Sequence, residues 1–130
     1  MFASGIFEIS LEPQKDENAP VGRMIINKKY TGDIEGRGTG QMISKRTEAG
    51  AAVYSAIEEF EGSVAGKMGA FTLIHNGFMS SETQSLDVTI LQGSGIGELQ
   101  NISGSLDIIQ EEGKHKFALY DFNIDDEIFM

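Results

Sequence analysis

Glu58 and His75 are the residues whose type and position suggest chemistry. Glu58 alternates with Ala56 and Phe60, so in an extended strand it shares their face. His75 alternates in the same way with Phe71 and Leu73. A carboxylate on an apolar face must find a partner, or burial raises its pKa by several units. Tyr54 lies on the face of Glu58, four residues earlier. If these faces turn towards one interior, Tyr54, Glu58 and His75 converge as a set fit for general acid–base work or for orienting the polar end of a ligand. The plainer alternative makes His75 a satisfied core histidine at a strand end and Glu58 a paired or rim residue. The candidate ligand-binding residues are Tyr54, Glu58, Phe71, Leu73 and His75, with no catalytic residue assigned.

Other patterns carry less. Gly93-Ser94-Gly95-Ile96-Gly97 misses the dinucleotide fingerprint because its third glycine comes one residue early. Gly36-Arg37-Gly38-Thr39-Gly40 has the same spacing inside a β-pattern, and structural bends account better for both. Gly62-Ser63-Val64-Ala65-Gly66-Lys67 is one residue short of a P-loop, and Met68 stands where a hydroxyl should meet magnesium. Neither His75 nor His115 has a second histidine at i, i+2 or i, i+4, and no metal and no cofactor are expected. Asp125, Asp126 and Glu127 lack the alternation of a calcium loop and read as a solvated acidic tail. Ile34-Glu35-Gly36-Arg37 matches a protease site used in linkers, but the strand pattern runs through it.

The elements that must position these residues are strands. Glycine is abundant, at 16 residues, and proline scarce, at 2, and the stretches between glycines alternate. Strands are predicted near residues 5–11, 22–31, 34–46, 69–76, 85–91, 102–110 and 115–122, with a polar loop over 13–20, a polar turn over 77–84, a glycine-rich connection over 92–99 and a hairpin turn at 111–114. Residues 48–60 read either way: Val53, Ala56, Ile57 and Phe60 form a helical stripe, while Tyr54, Ala56, Glu58 and Phe60 share one strand face. About eight strands suit closure into an antiparallel barrel whose interior holds side chains or one small ligand. One domain is expected over residues 1–130.

Composition narrows the partners. A formal net charge of −10 repels phosphate backbones and anionic lipid, and Lys28-Lys29 and Lys45-Arg46 are the only adjacent basic pairs. No nucleic-acid or membrane partner is expected. No apolar run approaches the ~20 residues of a membrane helix, and there is no cysteine, so a cytoplasmic location is expected.

Several segments, in this order, carry a resemblance over nearly the whole chain: Tyr30-Thr31-Gly32-Asp33-Ile34-Glu35-Gly36, Tyr54 to Gly62, Gly69 to Gly77, and Gly93-Ser94-Gly95-Ile96-Gly97-Glu98-Leu99 with Gly104. Together they resemble an uncharacterised bacterial family of unknown function with an allene oxide cyclase-like barrel. The glycine loop is also similar to that of allene oxide cyclases and dirigent proteins. The resemblance implies an all-β barrel with a small apolar cavity, a strand over residues 48–60, and Glu58 and His75 as pocket residues. It implies no reaction.

Three functions are in view. A barrel lined by Phe7, Ile9, Phe71, Leu73, Leu86, Val88, Leu106, Ile108, Phe117 and Leu119 would bind a small apolar molecule. The same interior could serve an isomerase or cyclase by preorganisation. Strands apolar on both faces, such as Ile25-Ile26, Ile90-Leu91 and Ile108-Ile109, would suit a homo-oligomer.

Overall fold

The computed structural model describes residues 2–124; the acidic tail lies outside the described residues, as does the side chain of Asp121. The strands are β1 (Phe2–Gln14), β2 (Gly22–Gly32), β3 (Ile34–Arg46), β4 (Ala52–Val64), β5 (Lys67–Met79), β6 (Gln84–Ile90), β7 (Ile96–Gly97), β8 (Ser103–Glu111) and β9 (Lys114–Asn123). Among the described residues there is no helix, so none is long and apolar enough to cross a membrane.

Eight strands close a barrel in the order β4-β3-β2-β1-β9-β8-β6-β5, with β4 pairing β5 to complete the ring. All neighbours are antiparallel. Short β7 pairs with Gly69 and Ala70 outside the ring. The ambiguous stretch resolves as strand: Ala56, Glu58 and Phe60 are buried, while Val53 and Ile57 face solvent. The helical stripe was therefore a coincidence of two strand faces. Two tight hairpins use left-handed central residues, Ala65-Gly66 between β4 and β5 and Glu112-Gly113 between β8 and β9. The first is the segment whose glycines imitate a P-loop.

Closure is uneven. β4 and β5 pair over the full length of both strands, whereas β6 and β8 share the single register pair Thr89↔Ser105. β9 reaches β1 only as far as His115↔Phe7, so the edge of β1 beyond Phe7 has no strand beside it on that side.

The interior divides at mid-height. At the closed end, Phe60 packs on Phe71 with ring centroids 4.8 Å apart, and Tyr30 meets Phe60 and Phe117 edge-on at 5.5 Å. Segment 91–102 folds over this end and seats Leu99 and Ile102 in the core beside Ala3, Ile34 and Val64. It is pinned by Ser94 Oγ, which accepts from the Thr72 amide at 3.0 Å and donates to the Leu91 carbonyl at 2.6 Å. Burying each such phenylalanine or leucine stabilises the fold by roughly 1.5–3 kcal/mol.

At the open end the alternation continues but the burial stops. Ile9 and Leu11 pair with Lys28 and Ile26, which point inward, and cross-strand partners share a face. Yet Ile9 is 37 % exposed, Leu11 47 % and Met79 45 %. Met24, Met42, Tyr54, Leu86, Ile108 and His115, also on inward faces, are half-buried. The barrel is therefore a cup, plugged below and open above.

Candidate functional site

The floor of the cup is a polar cluster centred on Glu58, whose residue is 0 % exposed. Its Oε1 lies 3.0 Å from Lys28 Nζ and 2.8 Å from His75 Nε2. Its Oε2 accepts from the Tyr30 hydroxyl at 2.6 Å. β4 supplies Glu58, β2 supplies Lys28 and Tyr30, and β5 supplies His75. Lys28 and Tyr30 reach Glu58 across β3, which presents glycine where a side chain would intervene, and His75 reaches it from the adjoining β5. A Cβ at Gly38 would run into the Glu58 carboxylate. The Gly36–Gly38–Gly40 row is thus a space left for a side chain at Gly38 and for neighbouring backbone at Gly36, where a Cβ would meet β4.

Electrostatics follow from this geometry. Burial pushes the Glu58 carboxyl upward, but the His75 hydrogen bond, the Lys28 charge and the Tyr30 hydroxyl together outweigh it and hold the group below its ordinary value. An ionised carboxylate only accepts, so His75 Nε2 carries the proton in that bond. Tyr30 is pushed well above 10.0, first by burial and then by the adjacent Glu58 charge and hydrogen bond. Lys28 also sits over the Phe7 ring, 4.7 Å from its centroid, a contact that offsets part of the cost of burying an ammonium. On its other neighbour side, Phe7 stacks with His115 at 5.2 Å.

Of the sequence-predicted site residues, Glu58 and His75 meet directly, and Phe71 and Leu73 are buried in the adjoining core. Tyr54 does not join them. It is on the inward face at the open end, where its ring covers Gly77, a position at which a Cβ would collide with it. Burial alone raises its phenol. The tyrosine that reaches Glu58 is Tyr30. Sequence reasoning missed Lys28 and Tyr30. The signal was present: Ile26, Lys28 and Tyr30 alternate on β2, and a buried Glu58 demands a donor from another strand.

Above the floor, the mouth holds a cleft of about 630 Å³ walled by Met24, Met42, Tyr54 and Met79 and by the β1–β2 loop. A second, larger hollow of about 730 Å³ lies outside the barrel, on the outer faces of β2 to β5, where Ile25, Ile43, Ile57 and Ile74 are neighbours. Among the described residues no group of three or more His, Cys, Asp or Glu could hold a metal ion.

Comparison with known proteins adds the following. A family model described as "Protein of unknown function (DUF3224)" matches residues 3–123. A crystal structure of a protein with unknown function from that family, from Shewanella oneidensis MR-1, is 31% identical, covers 98% of each chain and superposes with a TM-score of 0.90. No curated protein matches. Neither finding bears on the likeness to allene oxide cyclases.

Proposed function

The chain belongs to the DUF3224 family, whose description assigns no activity, and from its geometry we propose that it is a binding protein for a small hydrophobic molecule held in the open half of the barrel. One observation carries this reading. Inward-facing apolar side chains are buried at one end and exposed at the other, as with Leu11 at 47 %. Apolar surface inside a concavity gains most by meeting an apolar guest. The methionines at the mouth suit a guest of irregular shape, because a thioether chain adapts its rotamers.

An isomerase or cyclase in the same cup has less support. A general base works best with a pKa near the working pH. Glu58 sits below its ordinary value with three donors on its two oxygens. That environment makes it an anchor for the floor.

Native mass spectrometry of freshly purified protein, with thermal-shift screening of an apolar metabolite library, tests the proposal. A retained small molecule, or a rise in Tm with one apolar class, is expected. A bare mass together with a flat screen would remove the reading.

The outer hollow favours a second role alongside the first. Ile57 is 60 % exposed and adjoins Ile25, Ile43 and Ile74, a patch that suits contact with a second copy. Sizing chromatography with light scattering at micromolar concentration checks it; a monomer there excludes it.

A further inference from the structure

The wall of the barrel is lower on one side. β1 runs to Gln14, but its neighbour β9 goes no further along it than Phe7, opposite His115. Ser4 shows which backbone groups this leaves bare. Its amide donates to Asp33 Oδ2 at 3.0 Å and its carbonyl accepts from the Asp33 amide at 2.9 Å, so both face the β2 side. Successive residues of an antiparallel strand turn these groups to alternate sides. The β1–β2 register is unbroken from Gly5↔Gly32 to Gln14↔Arg23, so Ile6, Glu8, Ser10 and Glu12 also bond towards β2. Phe7, Ile9, Leu11 and Pro13 face the other way. His115 takes up Phe7. The N–H and C=O of Ile9 and Leu11, and the C=O of Pro13, have no backbone partner among the described residues. Pro13 stands where a missing N–H costs nothing, the place proline takes on an edge strand.

The side chains of this edge are selective. Ile9 and Leu11 turn inward and are 37 % and 47 % exposed. Glu8 and Glu12 turn outward into solvent, and neither is in an ion pair among the described residues. Charges and proline on an edge guard it against indiscriminate pairing. Here they work against copies of the same chain. A two-fold centred on Ser10 sets Glu8 against Glu12 twice, and one centred on Leu11 sets Pro13, which has no N–H, against Ile9. Neither device repels a basic strand. We propose that this edge of β1 takes up an extended peptide from a partner protein, antiparallel, with apolar residues opposite Ile9 and Leu11 and basic residues opposite Glu8 and Glu12. Main-chain bonds to Ile9 and Leu11 supply affinity, and the alternating side chains supply selection. The apolar pair of the peptide covers surface in the cup that otherwise meets water. Its basic pair meets the two carboxylates outside, where opposite charges on adjacent strands stabilise the pairing. A net charge of −10 draws such a peptide in and repels an acidic one. The proposal stands whether or not the cup also holds a small molecule.

The test is fluorescence anisotropy of three N-terminally labelled, C-terminally amidated pentapeptides with the full chain: KVTVK, its charge-reversed form EVTVE, and KVTVK methylated on both valine nitrogens. KVTVK is expected to bind at least tenfold tighter than either of the others. Equal binding of KVTVK and EVTVE overturns the basic partner, and equal binding of the methylated form overturns strand addition. No binding of KVTVK at millimolar protein overturns both. Glu8→Lys with Glu12→Lys, two exposed positions, is expected to invert the order of KVTVK and EVTVE. An unchanged order in that variant, folded by circular dichroism, places the peptide elsewhere and overturns the assignment. Light scattering of the free protein decides the remaining occupant. Leu11→Pro removes an N–H only from the open edge, so a dimer abolished by Leu11→Pro and kept by Ile57→Thr would make a second copy of β1 the strand that is added, and would overturn the proposal.

Discussion

The two ends of this barrel are built from the same eight strands and the same alternation, yet they have opposite fates. At the closed end, Phe60, Phe71, Phe117, Leu99 and Val64 are packed to exclude water. At the open end, Ile9, Leu11, Met24, Met42 and Tyr54 continue the inward faces but meet too few neighbours to be covered. The difference lies in what crosses the axis. Large rings and the 91–102 segment span the bore below, whereas above only single side chains project from each wall. Alternation decides which way a side chain points, and the volume available across the bore decides whether it is buried. The Glu58 cluster sits at the boundary between the two.

The largest effect is expected at that boundary. Lys28→Met leaves a buried carboxylate with one charge partner fewer, and the expected loss is about 3–5 kcal/mol by urea denaturation. The double variant Lys28→Met with Glu58→Gln removes both charges and should recover most of that loss. A double variant as unstable as the single would show that the ion pair is not what holds the floor.

Next come the ends themselves. Phe60→Ala at the closed end should cost about 3–5 kcal/mol, because the ring leaves a cavity among fixed neighbours. Leu11→Ser at the open end should stay within about 0.5–1 kcal/mol, since the side chain is already half in water. Equal costs would mean that the open end is closed in solution.

The pH dependence is a smaller effect with a definite sign. The Glu58 carboxyl is lowered in the fold, so its ionised form stabilises the native state above 4.5, and that contribution is lost as pH falls through the folded value. Tyr30 is raised, so its contribution is present below 10.0 and is lost as pH rises further. Stability from this cluster should form a plateau between those limits. In Glu58→Gln the acid side of the plateau should flatten, and denaturation midpoints from pH 3 to 7 would reveal it (an unchanged slope would place the titrating group elsewhere).

The smallest expected effect sharpens the outer surface. Ile57→Thr should leave stability within about 0.5 kcal/mol, because the residue faces solvent on a strand where threonine is well tolerated. Any loss of a dimer in that variant would locate the contact on this face.

The sequence yielded the strands and their inward residues with little distortion, because alternation is a local property. β3 runs over the range read from the pattern, and the interior residues Phe7, Leu73, Val88, Leu106 and Phe117 are all buried. Strand ends were less legible: β1 continues through Pro13 to Gln14 and β5 through Gly77 to Met79, both past residues that usually mark turns. The site was half visible. Glu58 and His75 stand out because a polar residue interrupts an apolar face. Lys28 was obscured by its neighbour Lys29, which made the two look like a surface basic pair, although successive residues on a strand point to opposite sides. Tyr54 stands out in the sequence because it shares a strand face with Glu58. The partner came instead from two strands away, which only barrel closure and register determine.

One seam of the ring remains to be weighed. Seven of the joints between strands are zipped by runs of paired residues, and the eighth is pinned at Thr89 and Ser105 alone. Carrying that register towards the mouth sets Asp87 against Asp107, two carboxylates on the outer surface. A hoop fastened this way is expected to part first at that joint, with β6 still zipped to β5. Backbone amides of Leu86 and Asp87 should accordingly exchange with deuterium sooner than those at the β3–β4 joint, and the diameter of molecule admitted should be set by how far this one slit gapes.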